Sequence, residues 1–211
     1  MAYETILFDL DGTLVDTNEL IHVSFKHTLS EYNYDFTDEE IMSFNGPPLR
    51  NTFEQLNPDL AEEMVQTYLK HNHALHEQYI KVFPNVIETL QALRKKGLKL
   101  GLVTAKMRNG VELGLEITGL KKYFDTIVTI DDVEHAKPHE EPVLKAMQAL
   151  NGTIENTLMI GDNYHDILSG QNAEVATAGV AWTAKGRSFL EQYEPTYMLE
   201  DMLDLLEVVE G

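Results

Sequence analysis

The chain has 211 residues, 43% of them hydrophobic and 24% charged, with 16 Lys and Arg against 35 Asp and Glu and no cysteine. At about 150 residues per domain, that length gives one large domain or one domain carrying an insert, and the composition sustains an apolar core. The formal net charge of −19 excludes a general grip on nucleic acid, whose phosphates it repels, and disfavours anionic membrane surfaces. The lack of cysteine excludes disulfides, thiolate chemistry and sulfur-bound zinc.

The N-terminal Met1-Ala2-Tyr3-Glu4 has no basic region, and no apolar run approaches the ~20 residues of a membrane span. The expectation is a soluble, cytoplasmic protein. An anionic ligand would need a local positive device to overcome the acidic surroundings.

In chain order, Ile6-Leu7-Phe8 reads as a first buried strand. Residues 16–81 then read as wholly helical. Leu20, Ile21, Phe25, Leu29 and Tyr32 form one stripe, Met64, Tyr68, Leu75 and Tyr79 another, and Asn45-Gly46-Pro47-Pro48 makes a turn between them. Further strands are expected at Leu100–Val103, Thr126–Ile130, Thr157–Ile160 and Thr177–Ala181. These runs do not alternate with polar residues, as in a parallel sheet covered on both faces. Between them lie a helix with Val86, Ile87, Leu90 and Leu93 on one face, stopped at Lys96-Gly97, and another with Val143, Leu144, Met147 and Leu150, ending near Asn151-Gly152. Strand–helix alternation predicts an α/β fold with a doubly wound parallel sheet. The expected division is a core of residues 1–15 and 82–211 and a helical cap of residues 16–81, inserted after strand 1.

Four groups of residues suggest chemistry. Asp9-Leu10-Asp11-Gly12-Thr13 follows the first strand, so Asp9 stands at the carboxyl edge of the sheet, where open α/β folds place ligands. An Asp-rich turn capping a loop is the plain structural alternative. Gly161-Asp162-Asn163-Tyr164-His165-Asp166 follows another strand, and its alternative is an Asp cap with an acidic first helical turn. Carboxylates converging from two strand ends would make an all-oxygen site, for which Mg²⁺ is the natural occupant. Thr104, at the end of Leu100–Val103, precedes backbone N–H groups able to hold phosphate oxygens, or else caps the next helix. Lys137, read as heading a helix, sits where the dipole disfavours a cation, which hints at an anionic partner.

Together these groups resemble the four motifs of the haloacid dehalogenase superfamily of phosphotransferases: Asp9-x-Asp11-Gly12-Thr13, Thr104, Lys137, and Gly161-Asp162 with Asp166. Many relatives have a proline-rich run after the third-motif lysine; this chain reads Lys137-Pro138-His139-Glu140-Glu141-Pro142 there. The resemblance implies Asp9 as nucleophile, forming an aspartyl-phosphate, and Asp11 as general acid and then base. It implies Mg²⁺ held by Asp9, the Asp11 backbone carbonyl and Asp162, supported by Asp166. Thr104 and Lys137 would hold the transferring phosphoryl group.

Asp11 favours phosphoryl transfer over dehalogenation. Ile21, where β-phosphoglucomutases carry a hinge histidine, disfavours isomerase chemistry. Several stretches, among them Val128-Thr129-x-Asp131-Asp132-Val133, Gly161–Ile167 and Gly179-Val180-Ala181-Trp182-Thr183-x-Lys185-Gly186, resemble bacterial pyrophosphatases of the superfamily. That implies hydrolysis of inorganic pyrophosphate, a small anionic substrate, in particular that released when seryl-phosphorylated HPr is dephosphorylated phosphorolytically. The alternatives are a phosphoglycolate or other small phosphomonoester phosphatase, and a non-catalytic binding module on the same fold.

Arg50 reads either as a cap contact for a distal phosphate or as a surface arginine. Lys106 and Arg108 line an entrance or balance nearby acids. His71, His73 and His76 are spaced as exposed helix histidines rather than metal ligands. Trp182 belongs to a cap–core seam or to the core.

Overall fold

The computed structural model describes residues 3–210. The chain runs β1 (Thr5–Phe8), β2 (Val15–Asp16), α1 (Asn18–Glu31), α2 (Asp38–Ser43), α3 (Leu49–Leu56), α4 (Ala61–Tyr79), β3 (Lys81–Val82), α5 (Val86–Lys95), β4 (Lys99–Val103), α6 (Arg108–Thr118) and β5 (Thr126–Val128). It continues through α7 (Glu141–Ala149), β6 (Thr157–Gly161), α8 (Tyr164–Asn172), β7 (Ala176–Val180), α9 (Arg187–Glu191), β8 (Tyr197–Leu199) and α10 (Asp204–Val208).

Six strands form one sheet in the order β5-β4-β1-β6-β7-β8, every neighbouring pair parallel. From β1 the chain winds first through β4 to β5 and then returns to β6 on the other side. The reversal lies between β4 and β6, with β1 at its centre, and the crevice there is where such sheets bind ligands. Register makes that crevice specific. Phe8 stands level with Leu102 and with Ile160, so the residues that follow β1, β4 and β6 emerge side by side.

Because strand side chains alternate between faces, β1 feeds two cores. Ile6 and Phe8 join Leu100, Leu102, Leu158 and Ile160 beneath α5, α6 and α10. Leu7 joins Val103, Val128 and Met159 beneath α7 and α8. Helices α1–α4 build a third apolar cluster around Phe25, Phe53, Met64 and Tyr68. The chain leaves for these helices through β2 and returns through β3, which pair antiparallel.

Several expectations need correction. The fifth-strand run stops at Val128, and Ile130–Asp132 is a 3-10 turn, because the Asp132 carboxylate accepts hydrogen bonds from Thr129 N and Oγ1, both at 2.7 Å, and caps the chain out of the sheet. Ile87 is exposed rather than on the core face; at i+1 from Val86 it is turned by about 100° from the Val86–Leu90–Leu93 stripe. β8 was not among the expected strands: Tyr197-Met198-Leu199 is a short, partly buried strand at the edge of the sheet.

Candidate active site

Asp9 leaves the last residue of β1, and its N–H donates to Ile160 O at 2.9 Å, which ties it to β6. Thr104 follows β4 and its N–H donates to Val128 O at 3.0 Å. Asp162 follows β6, and Asp166 lies in the first turn of α8. Asp9, Thr104, Lys137, Asp162 and Asp166 are all buried, yet the first four and Asp166 line one cavity of about 380 Å³ between the sheet edge and α1–α4.

Lys137 does not head a helix: α7 begins at Glu141, and Lys137 lies in the preceding loop. Its Nζ donates to Asp9 Oδ1 at 2.7 Å, Val103 O at 2.9 Å and Asp166 Oδ1 at 2.5 Å. These are all three protons an ammonium has to give. Burial opposes its charge, but Asp166 and Asp9 outweigh that and hold the ammonium above its ordinary range. Asp166 thus does two things at once: its other oxygen accepts from Asn163 N at 3.0 Å, closing the N-terminus of α8. One carboxylate both caps α8 and pairs with Lys137.

Oxygen atoms of Asp9, Asp162 and Asp166 lie within 4.8 Å of one another. Burial, opposed in part by Lys137 and reinforced by the charge of Asp166, pushes Asp9 up to about 7. Burial and the charges of Asp166 and Asp9 raise Asp162 well above the usual carboxylate range. Three buried carboxylates share one ammonium, so the group is short of positive charge. An all-oxygen donor set with that deficit fits a hard divalent cation such as Mg²⁺. The approach is close enough to require glycine: a Cβ on Gly12 would lie 2.3 Å from Asp162 Oδ2, and one on Gly161 would lie 2.2 Å from Asp166 Cβ.

The Asp11 carboxylate is not part of this cluster. Its Oδ1 accepts from Thr17 Oγ1 at 2.7 Å and Lys106 Nζ at 3.0 Å. Burial works to raise it, but Lys106 and Thr17 outweigh burial and hold it below its ordinary value. Thr104 does not cap α6, whose N-cap is Met107; its Oγ1 accepts from Lys106 N at 3.2 Å and keeps its own proton to donate.

The ambiguous residues separate. Arg50 lines the cavity but is more than half exposed and paired with Glu62 and Glu54. Lys106 lines the cavity; Arg108 is instead held by Asp132 at 2.5 Å. Trp182 donates from Nε1 to Thr13 O at 3.3 Å and packs on Phe83. His76 is fully buried, which overturns its reading as an exposed histidine; it follows Tyr68 and Asn72 at intervals of four on the inner face of α4. Sequence reasoning missed Thr17 and Thr183, whose hydroxyl lies 3.4 Å from Asp162 Oδ2. It also missed Lys185, whose Nζ donates to Asn45 O at 3.0 Å. Thr183 and Lys185 stand in the Gly179–Gly186 stretch that carries the resemblance, but no local chemistry there assigns them a contact.

Comparison with known proteins agrees with this architecture. Residues 6–180 match the haloacid dehalogenase-like hydrolase family. The chain is 51% identical, over 99% of its length and 98% of the relative's, to Pyrophosphatase PpaX of Oceanobacillus iheyensis. It is 52% identical over the same shares to Pyrophosphatase PpaX of Anoxybacillus flavithermus. A haloacid dehalogenase-like hydrolase from Streptococcus pneumoniae superposes with a TM-score of 0.86 at 28% identity, covering 98% of each chain. The fold, the strand-end carboxylates and these relatives agree, and the chain belongs to the haloacid dehalogenase-like hydrolases.

Proposed function

We propose that this chain is a cytoplasmic, Mg²⁺-dependent phosphohydrolase that uses Asp9 as nucleophile and cleaves inorganic pyrophosphate to orthophosphate. The observation that carries the reading is the convergence of Asp9, Asp162 and Asp166 around Lys137 at the reversal point of the sheet. The choice of pyrophosphate rests on the relatives that bear the name pyrophosphatase. The source of that pyrophosphate, on the same resemblance, is phosphorolytic dephosphorylation of seryl-phosphorylated HPr.

Asp9, Asp162 and the Asp11 backbone carbonyl would hold Mg²⁺, with Asp166 beside them. Bound there, the ion would neutralise the carboxylates and the phosphoryl oxygens. Lys137 fixes Asp9 through Oδ1, so the carboxylate meets the phosphorus in one orientation. Thr104 Oγ1 donates to the transferring phosphoryl group. Asp9 attacks phosphorus, the bond to the bridging oxygen breaks, and orthophosphate leaves with that electron pair. Asp11 then takes a proton from the water that opens the aspartyl-phosphate. Helices α1–α4 serve as a cap over residues 16–81 that excludes water, pivoting at β2 and β3.

A second reading has its own support: Phe25, Phe44, Leu49 and Val65 give the cavity an apolar side, which suits a phosphomonoester with an organic group. Phosphate release from pyrophosphate, phosphoglycolate and phenyl phosphate, with and without Mg²⁺, separates the two. Pyrophosphate is expected to be preferred, and Asp9→Asn to lower turnover by orders of magnitude. A preference for phosphoglycolate would replace the pyrophosphatase reading, and near-normal turnover by Asp9→Asn would remove the covalent mechanism.

A further inference from the structure

A pyrophosphate presents two phosphates to the cavity, and the groups assigned above serve only one of them. The leaving phosphate also carries negative charge and must be held within a chain of net charge −19. Among the described residues, the cavity is lined by three basic side chains of lysine or arginine: Arg50, Lys106 and Lys137. Lys137 has all three protons engaged, by Asp9, Val103 and Asp166. Arg50 is more than half exposed and paired with two glutamates, where an ion pair contributes little.

Lys106 differs from both. Its side chain is 16% exposed, its stem lies along α6, and a Cβ on Gly110 would come within 3.1 Å of its Cε. Its backbone N–H bonds Thr104 Oγ1, which fixes it next to the pole that receives the transferring phosphoryl group. Asp11 Oδ1, at 3.0 Å, is the hydrogen-bond partner of Nζ among the described residues, so two of its protons remain to be given. On the same cavity wall, His73 of α4 has an Nε2 without a partner. Asn109, whose Oδ1 accepts from Gly110 N, also lines the cavity.

We propose that Lys106, aided by His73 and Asn109, is the specificity site for the leaving phosphate, selecting a substrate in which a second phosphate is joined to the transferred one. This assignment rests on the pyrophosphatase reading. When the bridging oxygen departs with its electron pair, the charge it gains falls on a phosphate already held by an ammonium, so the anhydride is cleaved without a protonated leaving group. A phosphate oxygen that engages Lys106 also competes with Asp11 Oδ1 for the same ammonium. Substrate binding therefore loosens Asp11 for its work on water.

The test compares wild type, Lys106→Gln and Lys106→Arg on pyrophosphate and on phenyl phosphate. Calorimetric binding of methylenediphosphonate and of inorganic phosphate to the same proteins supplies a readout apart from turnover. In Lys106→Gln the ratio of kcat/KM for pyrophosphate to that for phenyl phosphate is expected to fall roughly thirtyfold or more, the size of one lost charge-assisted contact. Methylenediphosphonate binding should weaken by a similar factor and phosphate binding by much less, with Lys106→Arg recovering most of both. An equal loss on both substrates, with diphosphonate binding unchanged, overturns the assignment and leaves Lys106 as a partner of Asp11 only. Wild type inert toward pyrophosphate, yet binding methylenediphosphonate through Lys106, would keep the two-phosphate site and remove the pyrophosphatase reading.

Discussion

The ammonium of Lys137 stands 2.7 Å from Asp9 Oδ1, across 128 residues of chain. The same nitrogen holds Asp166, so one loop residue ties the end of β1 to the start of α8. This pairing sets both the geometry of the nucleophile and the electrostatics of the site. Removing one partner of a buried ion pair leaves the other uncompensated, at a cost of about 3–5 kcal/mol.

Lys137→Met should therefore lose activity and, in the absence of divalent metal, lose stability on that order in urea unfolding. The double variant Lys137→Met/Asp166→Asn should regain part of the stability while staying inactive, because one of the carboxylates left without a cation is then neutral. Stability unchanged in the single variant would mean that the carboxylates are already protonated or solvated.

Metal should act on the fold as well as on turnover. At about 100 times its dissociation constant, a ligand adds about 2.7 kcal/mol, or roughly 5–10 °C in Tm for a chain of this size. Mg²⁺ is expected to raise Tm by that amount, EDTA to abolish turnover, and Ca²⁺ to inhibit through its looser coordination. Asp162→Asn should remove the rise in Tm. Full turnover in metal-free protein would sink the site as assigned.

The turn at Asn45-Gly46 is where the helical layer meets the catalytic edge. Gly46 has φ +122°, and a Cβ there would lie 2.5 Å from Asn163 Nδ2, while Lys185 holds Asn45 O from the core side. Gly46→Ala is expected to lower kcat/KM by about tenfold or more, with a stability loss of about 1–3 kcal/mol from local strain. Steady-state kinetics and thermal melting check this together. Unchanged kinetics would show that the turn need not seat against Asn163.

His76 gives a pH signature. It is fully buried on α4, bonded through Nδ1 to Asn72 Oδ1 at 3.1 Å, and a Cβ on Gly114 of α6 would lie 3.3 Å from its Nε2. Burial first, then Lys106, pushes the imidazole down to about 4, with Asp11 opposing. The unfolded chain, with an ordinary histidine near about 6.5, binds a proton between those values that the folded chain refuses. Stability is then complete above about pH 6.5 and falls as pH drops toward 4. Urea unfolding at about pH 7 and about pH 5 should show a smaller loss for His76→Gln than for wild type. Equal losses would mean that the buried ring accepts its proton at little cost.

Short-range rules made much of this protein readable from the chain. Asp9, Thr104 and Asp162 each follow an apolar run, and a parallel strand delivers the residue after it to the carboxyl edge whatever the rest of the fold does. The acidic pairs and the glycine beside them followed from local chemistry in the same way. Lys137 was legible as a motif but not in its setting, since the loop that buries it is placed by α7 and α8 rather than by its neighbours in sequence.

What the tertiary structure alone decided are pairings that the neighbouring sequence does not impose, most of them between segments far apart in the chain. The turn of Asp11 toward Thr17 and Lys106, the double duty of Asp166, the reach of Lys185 to Asn45 and the burial of His76 against Gly114 all depend on which surfaces meet. Periodicity tells a helix which face is apolar. It does not say which partner that face finds, because a buried polar side chain is satisfied by groups that arrive from elsewhere. The sequence by itself determined the strand ends and the chemical types gathered there; packing of α4 against α6 and of the Asn45 turn against α8 decided which of those groups touch, since contact energies act only between surfaces the fold has already brought together.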